Sequence, residues 1–275
     1  MTDLILNALR CPICRAPMSL ENGGKSMMCR GDEKRHCYDF SSSGYINFVP
    51  PKQSNSGDSK EAVRSRTGFL NEGFYAPILD AVRDVAARYA DGLLVDAGCG
   101  EGYYTSALSE VCGAVVGFDL SKFGVDAAAK RTKKKDNAFF GVAGIYNMPL
   151  MDACADGVVS IFAPCAEEEF SRIMKEDAAL IVVGAGKDHL LGLKHAIYET
   201  TYENAEREDM PKGMTLTYET EVSYSMTLEN NKQILDLFSM TPYYYRTGEQ
   251  DMQKLSRLDH LTTPVDVLVR VYHKK

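Results

Sequence analysis

The chain has 275 residues, of which 45% are hydrophobic and 25% charged, and its formal net charge is −7. This composition is that of ordinary globular proteins, and the length suits one large domain or a medium domain with a small companion. No apolar run approaches the roughly 18–20 residues that cross a bilayer, and no signal peptide is recognisable, so we expect a cytoplasmic protein without a membrane partner. Because the net charge is negative, the chain lacks the overall basic character that marks many nucleic-acid-binding proteins. Any such site must therefore be a local patch.

Metal-binding residue types crowd the first 40 residues. Cys11 and Cys14 form a C-x2-C knuckle, and Cys29, His36 and Cys37 follow it. Tetrahedral zinc takes four thiolate or imidazole ligands, and two close pairs joined by a loop are typical of zinc ribbons. Adjacent side chains of an extended segment point to opposite faces, so His36 and Cys37 compete for the fourth position and both remain candidates. Free reduced thiols are the alternative interpretation.

Residues 1–49 contain few apolar side chains, so a metal would have to stabilise a domain of this size. We therefore predict a small zinc-ribbon-like domain at residues 1–49. Basic side chains alternate with its proposed ligands, and they are Arg10, Arg15, Arg30, Lys34 and Arg35. Folding would gather them on one small surface, which is the expected contact for an RNA backbone.

The remainder predicts a second, larger unit. Residues 50–59 are rich in Pro, Ser and Gly, and we predict a linker and connecting helix over residues 50–72. From residue 73 to residue 275, strands alternate with helices, which predicts an α/β fold with a mostly parallel, seven-stranded Rossmann-like sheet. The predicted strands are 93–97, 114–119, 138–143, 157–163, 179–184, 215–226 and 265–272, and the predicted helices include 103–111, 122–133, 166–174 and 189–206. The last two strands fit an antiparallel edge hairpin, and a ligand should bind at the carboxyl ends of the first strands.

A glycine-rich, acidic segment follows the first strand of this unit. The strand ends in Asp96, and a second acid, Asp119, ends the next strand. Between them, Gly98, Gly100 and Gly102 remove side chains where a ligand must approach the backbone. A distal acid of this kind accepts hydrogen bonds from ribose hydroxyls in doubly wound folds. Because an acid ahead of the glycines suits the positive amino end of S-adenosylmethionine (SAM), the pattern D-x-G-x-G-x-G predicts a SAM-dependent methyltransferase. A glycine turn without a ligand, and Asp119 as a helix-capping acid, are the alternatives.

Further motifs run in order across nearly the whole chain. They are Cys11-Pro-Ile-Cys14, Tyr38-Asp39, Gly44-Tyr-Ile-Asn47, Gly57-Asp-Ser59, Arg66-x-x-Phe-Leu70, Gly73-x-Tyr75-x-Pro77, Asp96-x-Gly-Cys-Gly-Glu-Gly-Tyr-Tyr104, Asp119-x-Ser-Lys122, Ala163-Pro-Cys165 and Met240-Thr-Pro242. In these motifs the chain resembles the 23S rRNA (guanine-N1) methyltransferases of the RlmA/RrmA type.

The resemblance implies specific site residues. The zinc ligands would be Cys11, Cys14, Cys29 and His36, and the SAM contacts would include Tyr75, Gly100, Glu101 and His189. It also implies that the zinc module helps to hold a hairpin of 23S rRNA, that the larger domain methylates N1 of a guanine in it, and that the protein forms a homodimer. The gap between the third and fourth ligands is longer here than in the family, so Cys37 stays an alternative to His36.

The implied substrate sets chemical conditions. Guanine N1 carries a proton on the Watson–Crick edge, so the base must be unpaired or extruded and N1 must lose its proton before or during transfer. The sequence names no general base, and Asp156 and residues 162–165 are expected beside the substrate. Methylation of a small molecule or protein, and RNA binding without catalysis, are the competing functions. The zinc module with its arginines disfavours the first, and the intact cofactor motif disfavours the second.

Overall fold

The computed structural model describes residues 1–31, 34–50, 57–198, 204, 211–244 and 246–274. Its helices are α1 (Asp3–Ala8), α2 (Lys60–Asn71), α3 (Ala76–Tyr89), α4 (Tyr103–Leu108), α5 (Lys122–Arg131), α6 (Glu167–Ile173), α7 (Leu191–Ile197), α8 (Asn231–Ser239) and α9 (Glu249–Leu255). Its strands are β1 (Met18–Glu21), β2 (Ser26–Cys29), β3 (Cys37–Asp39), β4 (Ile46–Asn47), β5 (Leu93–Ala97), β6 (Ala114–Asp119), β7 (Ala138–Val142), β8 (Ala155–Ile161), β9 (Met174–Ala185), β10 (Met214–Leu228) and β11 (Leu261–Lys274).

Eight strands form one large sheet in the order β10-β11-β9-β8-β5-β6-β7-β4. The six strands from β9 to β4 run parallel, whereas β11 pairs antiparallel with both β9 and β10. The predicted mostly parallel sheet with an antiparallel edge hairpin is confirmed, and it has one strand more than the seven expected because β4 joins it. The chain order reverses between β5 and β8, so a crevice opens there at the carboxyl ends of the strands.

Helices cover both faces of this sheet. Polar caps begin several of them, as at α2, where Ser59 Oγ accepts a hydrogen bond from Ala62 N at 3.2 Å. Leu93 and Leu94 of β5 are both buried but lie in two different apolar clusters. Successive residues of a strand point to opposite faces, so the two clusters are the two cores between the sheet and its helices.

The N-terminal residues pack onto the large sheet. Strands β1, β2 and β3 form a separate antiparallel sheet, whereas β4 pairs in parallel with β7, with Ile46 opposite Gly141. Ile5 of α1 and Met27 of β2 lie fully buried in the same apolar cluster as Phe118 of β6. A segment too poor in apolar side chains for a core of its own thus shares the core of the sheet. The predicted boundaries at residues 49 and 72 stay predictions.

A charge network ties the residues before the first cysteine to the loop after β7. Arg10 Nη1 lies 2.9 Å from Asp152 Oδ1, and Arg172 Nη1 lies 2.6 Å from the same oxygen. Arg10 N also donates to Pro149 O at 3.0 Å, and Arg172 Nη1 donates to Leu150 O at 2.8 Å. Arg10 is buried in this contact. It is therefore not the exposed RNA-binding side chain that the sequence predicts.

Two predicted segments lie partly outside the described residues. They are the linker, at residues 51–56, and the helix predicted at 189–206, of which α7 and residue 204 are described. Within the described ranges, no helix is long and apolar enough to span a membrane.

Candidate cofactor cleft and metal centre

A cleft of about 810 Å³ opens at the carboxyl ends of the parallel strands. This volume falls within the roughly 300–1,000 Å³ usual for small-molecule sites. Seven of the eight predicted cofactor residues line it, and they are Tyr75, Asp96, Gly98, Gly100, Glu101, Asp119 and His189. The eighth, Gly102, begins α4 behind the cleft. The structure therefore brings together residues that the chain separates by more than a hundred positions.

The turn after β5 needs glycine at two positions for different reasons. Gly98 has φ 92°, and a Cβ there would lie 2.9 Å from the Cβ of Ala163 in the turn after β8. Gly102 has φ 78°, and a Cβ there would lie 2.7 Å from the Cβ of Ala128 in α5. Side chains would strain the backbone and separate packed elements, so the glycines hold the turn close to both neighbours.

Asp96 is the penultimate residue of β5, just before the glycine turn, and is almost completely buried. Thr105 Oγ1 donates a hydrogen bond to Asp96 Oδ2 at 2.5 Å. Burial raises the pKa of Asp96 to about 7, although the Thr105 hydrogen bond acts in the opposite direction. A buried carboxyl with so high a pKa gains from a nearby cation, which is what the amino end of SAM offers.

Asp119 holds the loops on both sides of the cleft. Its Oδ2 accepts from Gly100 N at 3.0 Å, and its Oδ1 accepts from Ser121 N at 2.7 Å. Ser121, not Asp119, is the residue that caps α5, because its Oγ accepts from Gly124 N at 3.1 Å. Each carboxylate oxygen keeps a further lone pair. The acid can therefore still accept hydrogen bonds from ribose hydroxyls.

Glu101 carries a buried, unpartnered oxygen. Within the part of the chain that the structure describes, Oε1 has no hydrogen-bond partner. Arg131 Nη2 lies 3.7 Å from this oxygen. Burial raises the pKa of Glu101. A buried acceptor without a donor fits a site completed by a ligand.

Three aromatic rings that line the cleft lie close to one another. The Phe162 ring, in the turn after β8, stacks on the His189 ring with centroids 5.6 Å apart and an interplanar angle of 20°. Tyr75 lies 6.3 Å from Phe162 and 6.4 Å from His189, centroid to centroid. His189 Nδ1 accepts from Asp266 N at 3.3 Å. Burial lowers the pKa of His189 to about 4, so its ring is neutral at physiological pH.

Two residues at the cleft mouth received no role from the sequence. Asp58 and Arg66 line the cleft and form an ion pair of 2.6 Å. Ser121 Oγ donates to Asp58 O at 2.8 Å, so the start of α2 is fastened to the loop after Asp119. Both residues belong to the motifs that carry the family resemblance, so the sequence marks them as candidates. Their spacing, however, does not indicate a contact with the loop after β6.

The proposed zinc ligands meet in the N-terminal module. The ligand atoms of Cys11, Cys14, Cys29 and His36 all lie within 4.8 Å of one another. His36 Nδ1 is 3.6 Å from Cys11 Sγ and 3.5 Å from Cys29 Sγ. Zinc–sulfur bonds of about 2.3 Å and zinc–nitrogen bonds of about 2.0–2.1 Å at a tetrahedral angle give an S···N edge of about 3.6 Å, so the donor set fits zinc.

The environment of Cys29 also suits a metal ligand. Burial opposes ionisation, yet hydrogen bonds from the backbone of His36 and Gly31 lower the pKa of Cys29 to about 6. His36 N donates to Cys29 Sγ at 3.0 Å. The thiolate, which is the form that binds zinc, is therefore favoured near neutral pH.

Two residues that the sequence offers as site residues lie outside both the cysteine cluster and the cleft. Cys37 is exposed on β3 and is outside the cluster. Asp156 lies at the amino end of β8, where its Oδ2 accepts from Leu93 N at 2.8 Å and its Oδ1 accepts from Lys175 Nζ at 2.6 Å. The expectation that Asp156 sits beside the substrate is wrong, because the cleft lies at the opposite edge of the sheet.

Known proteins share both parts of this arrangement. Residues 95–181 match the family described as "Methyltransferase domain", and residues 9–57 match the zinc-ribbon family described as "RlmA, N-terminal". The chain is 32% identical to YxjB of Bacillus subtilis (strain 168), provisionally named a 23S rRNA (guanine-N1) methyltransferase, and the match covers 94% of this chain and 95% of YxjB. The chain belongs to the 23S rRNA (guanine-N1) methyltransferase family.

Other relatives agree with this membership. The 23S rRNA (guanine(748)-N1) methyltransferase of Streptomyces fradiae is 30% identical over 72% of this chain and 70% of its own length. The solved structure of YcgJ from Bacillus subtilis has a TM-score of 0.51 at 14% identity, covers 72% of this chain and 98% of its own, and shows the fold alone. The predicted family resemblance is confirmed. SAM is the cofactor of the methyltransferase domain, and zinc is the metal of the ribbon.

Proposed function

We propose that this protein transfers a methyl group from SAM to N1 of a guanine in a hairpin of 23S rRNA. The observation that carries the proposal is that one chain combines an acidic cofactor cleft with a Cys3His cluster. The sequence of this chain also matches, along almost its full length, a relative whose name gives this activity. A methyltransferase for small molecules does not need a zinc module with exposed basic side chains, so the competing function is disfavoured.

The cofactor residues divide their work. SAM supplies a methyl group already activated by the sulfonium, so the chain must mainly position the reactants and exclude water. Asp119 would accept hydrogen bonds from the ribose, and Asp96 would face the positive amino end. Glu101 would use its unpartnered oxygen for a donor of the ligand. The neutral ring of His189 and the buried ring of Tyr75 would close the apolar side.

The zinc module would hold the RNA. We assign Cys11, Cys14, Cys29 and His36 as its ligands, and their cluster, which does not include Cys37, supports this choice. The exposed basic residues nearby are Arg15, Arg30, Lys34 and Arg35. Such side chains contact phosphates and so position a nucleic acid without reading its sequence. A homodimer, testable by sedimentation, and a cytoplasmic location remain predictions.

The target base must leave its helix. Guanine N1 lies on the edge that pairs with cytosine, and a SAM cleft at the edge of a sheet cannot reach it inside a duplex. Hairpin loops present unstacked bases at lower cost, which is why sequence-specific RNA recognition favours them. The cleft would receive one splayed guanine while the module held the neighbouring backbone.

Labelled SAM and 23S rRNA from cells that lack the gene test the proposal directly. We expect label to enter the RNA, and primer extension to stop at one guanine, because a methyl group on N1 blocks Watson–Crick pairing. A hairpin fragment containing that guanine should also be a substrate. Label on another RNA, on a base other than guanine, or without a new stop would show that the substrate is a different one.

A further inference from the structure

Three of the nine exposed large apolar side chains in the described part of the chain line one cleft. They are Leu120, Tyr146 and Phe162. Each follows the carboxyl end of a parallel strand, namely β6, β7 and β8. Exposed apolar groups gathered in a concave site indicate a ligand that covers them.

Phe162 differs from the other two in its backbone. Its φ is 50°, a left-handed conformation that aromatic residues rarely adopt. Two contacts maintain this turn. Phe162 N donates to Val183 O at 2.9 Å, and Ser160 Oγ lies 3.3 Å from the carbonyl oxygens of both Ala163 and Pro164. An unfavourable backbone held in place at the rim of a cleft is a typical mark of a functional residue.

The ring of Phe162 is supported on one side and exposed for the rest. His189 stacks against it, and Tyr75 packs beside it at a tilt of 41°. Even so, 44% of Phe162 is exposed to solvent. The support is uncharged near neutral pH because burial lowers the pKa of His189 to about 4. A flat, apolar surface with a rigid backing is what a nucleobase needs for stacking.

The turn that carries this ring touches the cofactor turn. Ala163 follows Phe162, and its Cβ lies 2.9 Å from the place where a Cβ of Gly98 would be. A base lying on Phe162 would therefore rest next to the glycine turn that is proposed to hold SAM.

We propose that Phe162 is the platform on which the target guanine stacks after it leaves its hairpin. The inference rests on the proposed function. An extruded base loses the stacking of its neighbours, and an aromatic side chain replaces part of it at every base type. The adenine of SAM is the other flat ring that the cleft receives, and the experiment below separates the two.

The first measurement is the steady-state methylation of the rRNA hairpin by Phe162→Leu and Phe162→Tyr. We expect Phe162→Leu to raise KM for the hairpin and lower kcat/KM about ten- to hundredfold, because stacking on the ring is lost. Phe162→Tyr keeps the ring and should stay within about threefold of the wild type. The SAM Kd, from calorimetry, should stay within about twofold in both. Phe123→Leu is the control, since Phe123 is an equally exposed ring on α5 outside the cleft.

A second measurement reports stacking itself. The hairpin carries 2-aminopurine in place of the target guanine. The fluorescence of 2-aminopurine is quenched when the base stacks on an aromatic ring. Wild type and Phe162→Tyr should give a dim complex, and Phe162→Leu a brighter one. Unchanged kcat/KM and fluorescence in Phe162→Leu would overturn the platform, and so would a loss of SAM affinity that accounts for the whole defect. If the wild-type enzyme itself left guanine N1 of 23S rRNA unmodified, the proposed function would fall, and the platform with it.

Discussion

The zinc centre and the cofactor cleft are built in opposite ways. The zinc centre draws its four donors from residues 11–36, on a turn and on the ends of short strands, in a segment whose apolar contacts are supplied by the neighbouring sheet. The cleft draws its residues from Tyr75 to His189, and a large sheet whose strand β5 is buried along its whole length holds them in place. The first arrangement depends on one bound ion and the second on many packed side chains. Loss of a single side chain should therefore affect the zinc centre and the cofactor cleft very differently.

The largest effect is expected from Cys11→Ser. Structural zinc contributes on the order of 10–16 kcal/mol of apparent binding free energy in zinc-finger peptides, so the module should lose zinc and order. Its core is shared with the sheet, so the melting temperature of the whole protein should also fall. Metal analysis by mass spectrometry and a thermal melt measure both effects. Cys37→Ser is the matched control and should keep one zinc ion. Loss of zinc in Cys37→Ser with retention in His36→Ala would reverse the ligand assignment.

A smaller, local effect is expected from Asp119→Ala. A hydrogen bond to a charged group is worth roughly 1.5–3 kcal/mol, so SAM should bind about tenfold more weakly or worse. The zinc content should not change, because the cleft does not depend on the metal. Calorimetry measures the affinity, and Asp80→Ala serves as a control, since Asp80 is an exposed carboxylate on α3. If a folded Asp119→Ala protein bound SAM as tightly as the wild type does, Asp119 would not be a SAM ligand.

The smallest effect is a pH dependence of SAM binding through Asp96. Burial raises the pKa of Asp96 to about 7, so the carboxyl is mostly protonated at pH 6 and mostly ionised at pH 7.5. A cationic ligand prefers the ionised form, so affinity should rise with pH across this window, by roughly five- to tenfold. Calorimetry at both pH values measures the change. Asp96→Asn should bind weakly and show a flat profile, and a flat profile in the wild type would mean that Asp96 does not face the cation.

Local patterns were the predictable part of this protein. The strand that contains Asp96, the glycine turn and the acid that ends the next strand are close in sequence, and their geometry follows from one βαβ unit. The knuckle of Cys11 and Cys14 is equally local. The prediction that Asp156 lies beside the substrate is wrong for an equally local reason. Asp156 is the second residue of the parallel strand β8, and this position places it at the amino edge of the sheet, away from the crevice.

Non-local contacts were the part that the sequence could not supply. Arg10 looked like one of five interleaved basic residues, but its partner Asp152 is 142 positions away. Residues 44–49 can be recognised as extended from the sequence, but the two residues of β4 give no sign of their pairing with β7. The left-handed backbone of Phe162 is likewise invisible, since no sequence pattern marks a phenylalanine with positive φ.

Strand β4 also decides what the larger unit would be without its N-terminal partner. It covers the outer edge of β7, where the Phe40 ring meets the Phe139 ring edge to face at 6.3 Å. Removing residues 1–49 would leave β7 with unpaired backbone groups beside exposed aromatic surface. Uncovered, apolar edge strands pair with other chains and aggregate. A chain shortened in this way would therefore be expected to self-associate through β7, a consequence separate from any contact with RNA.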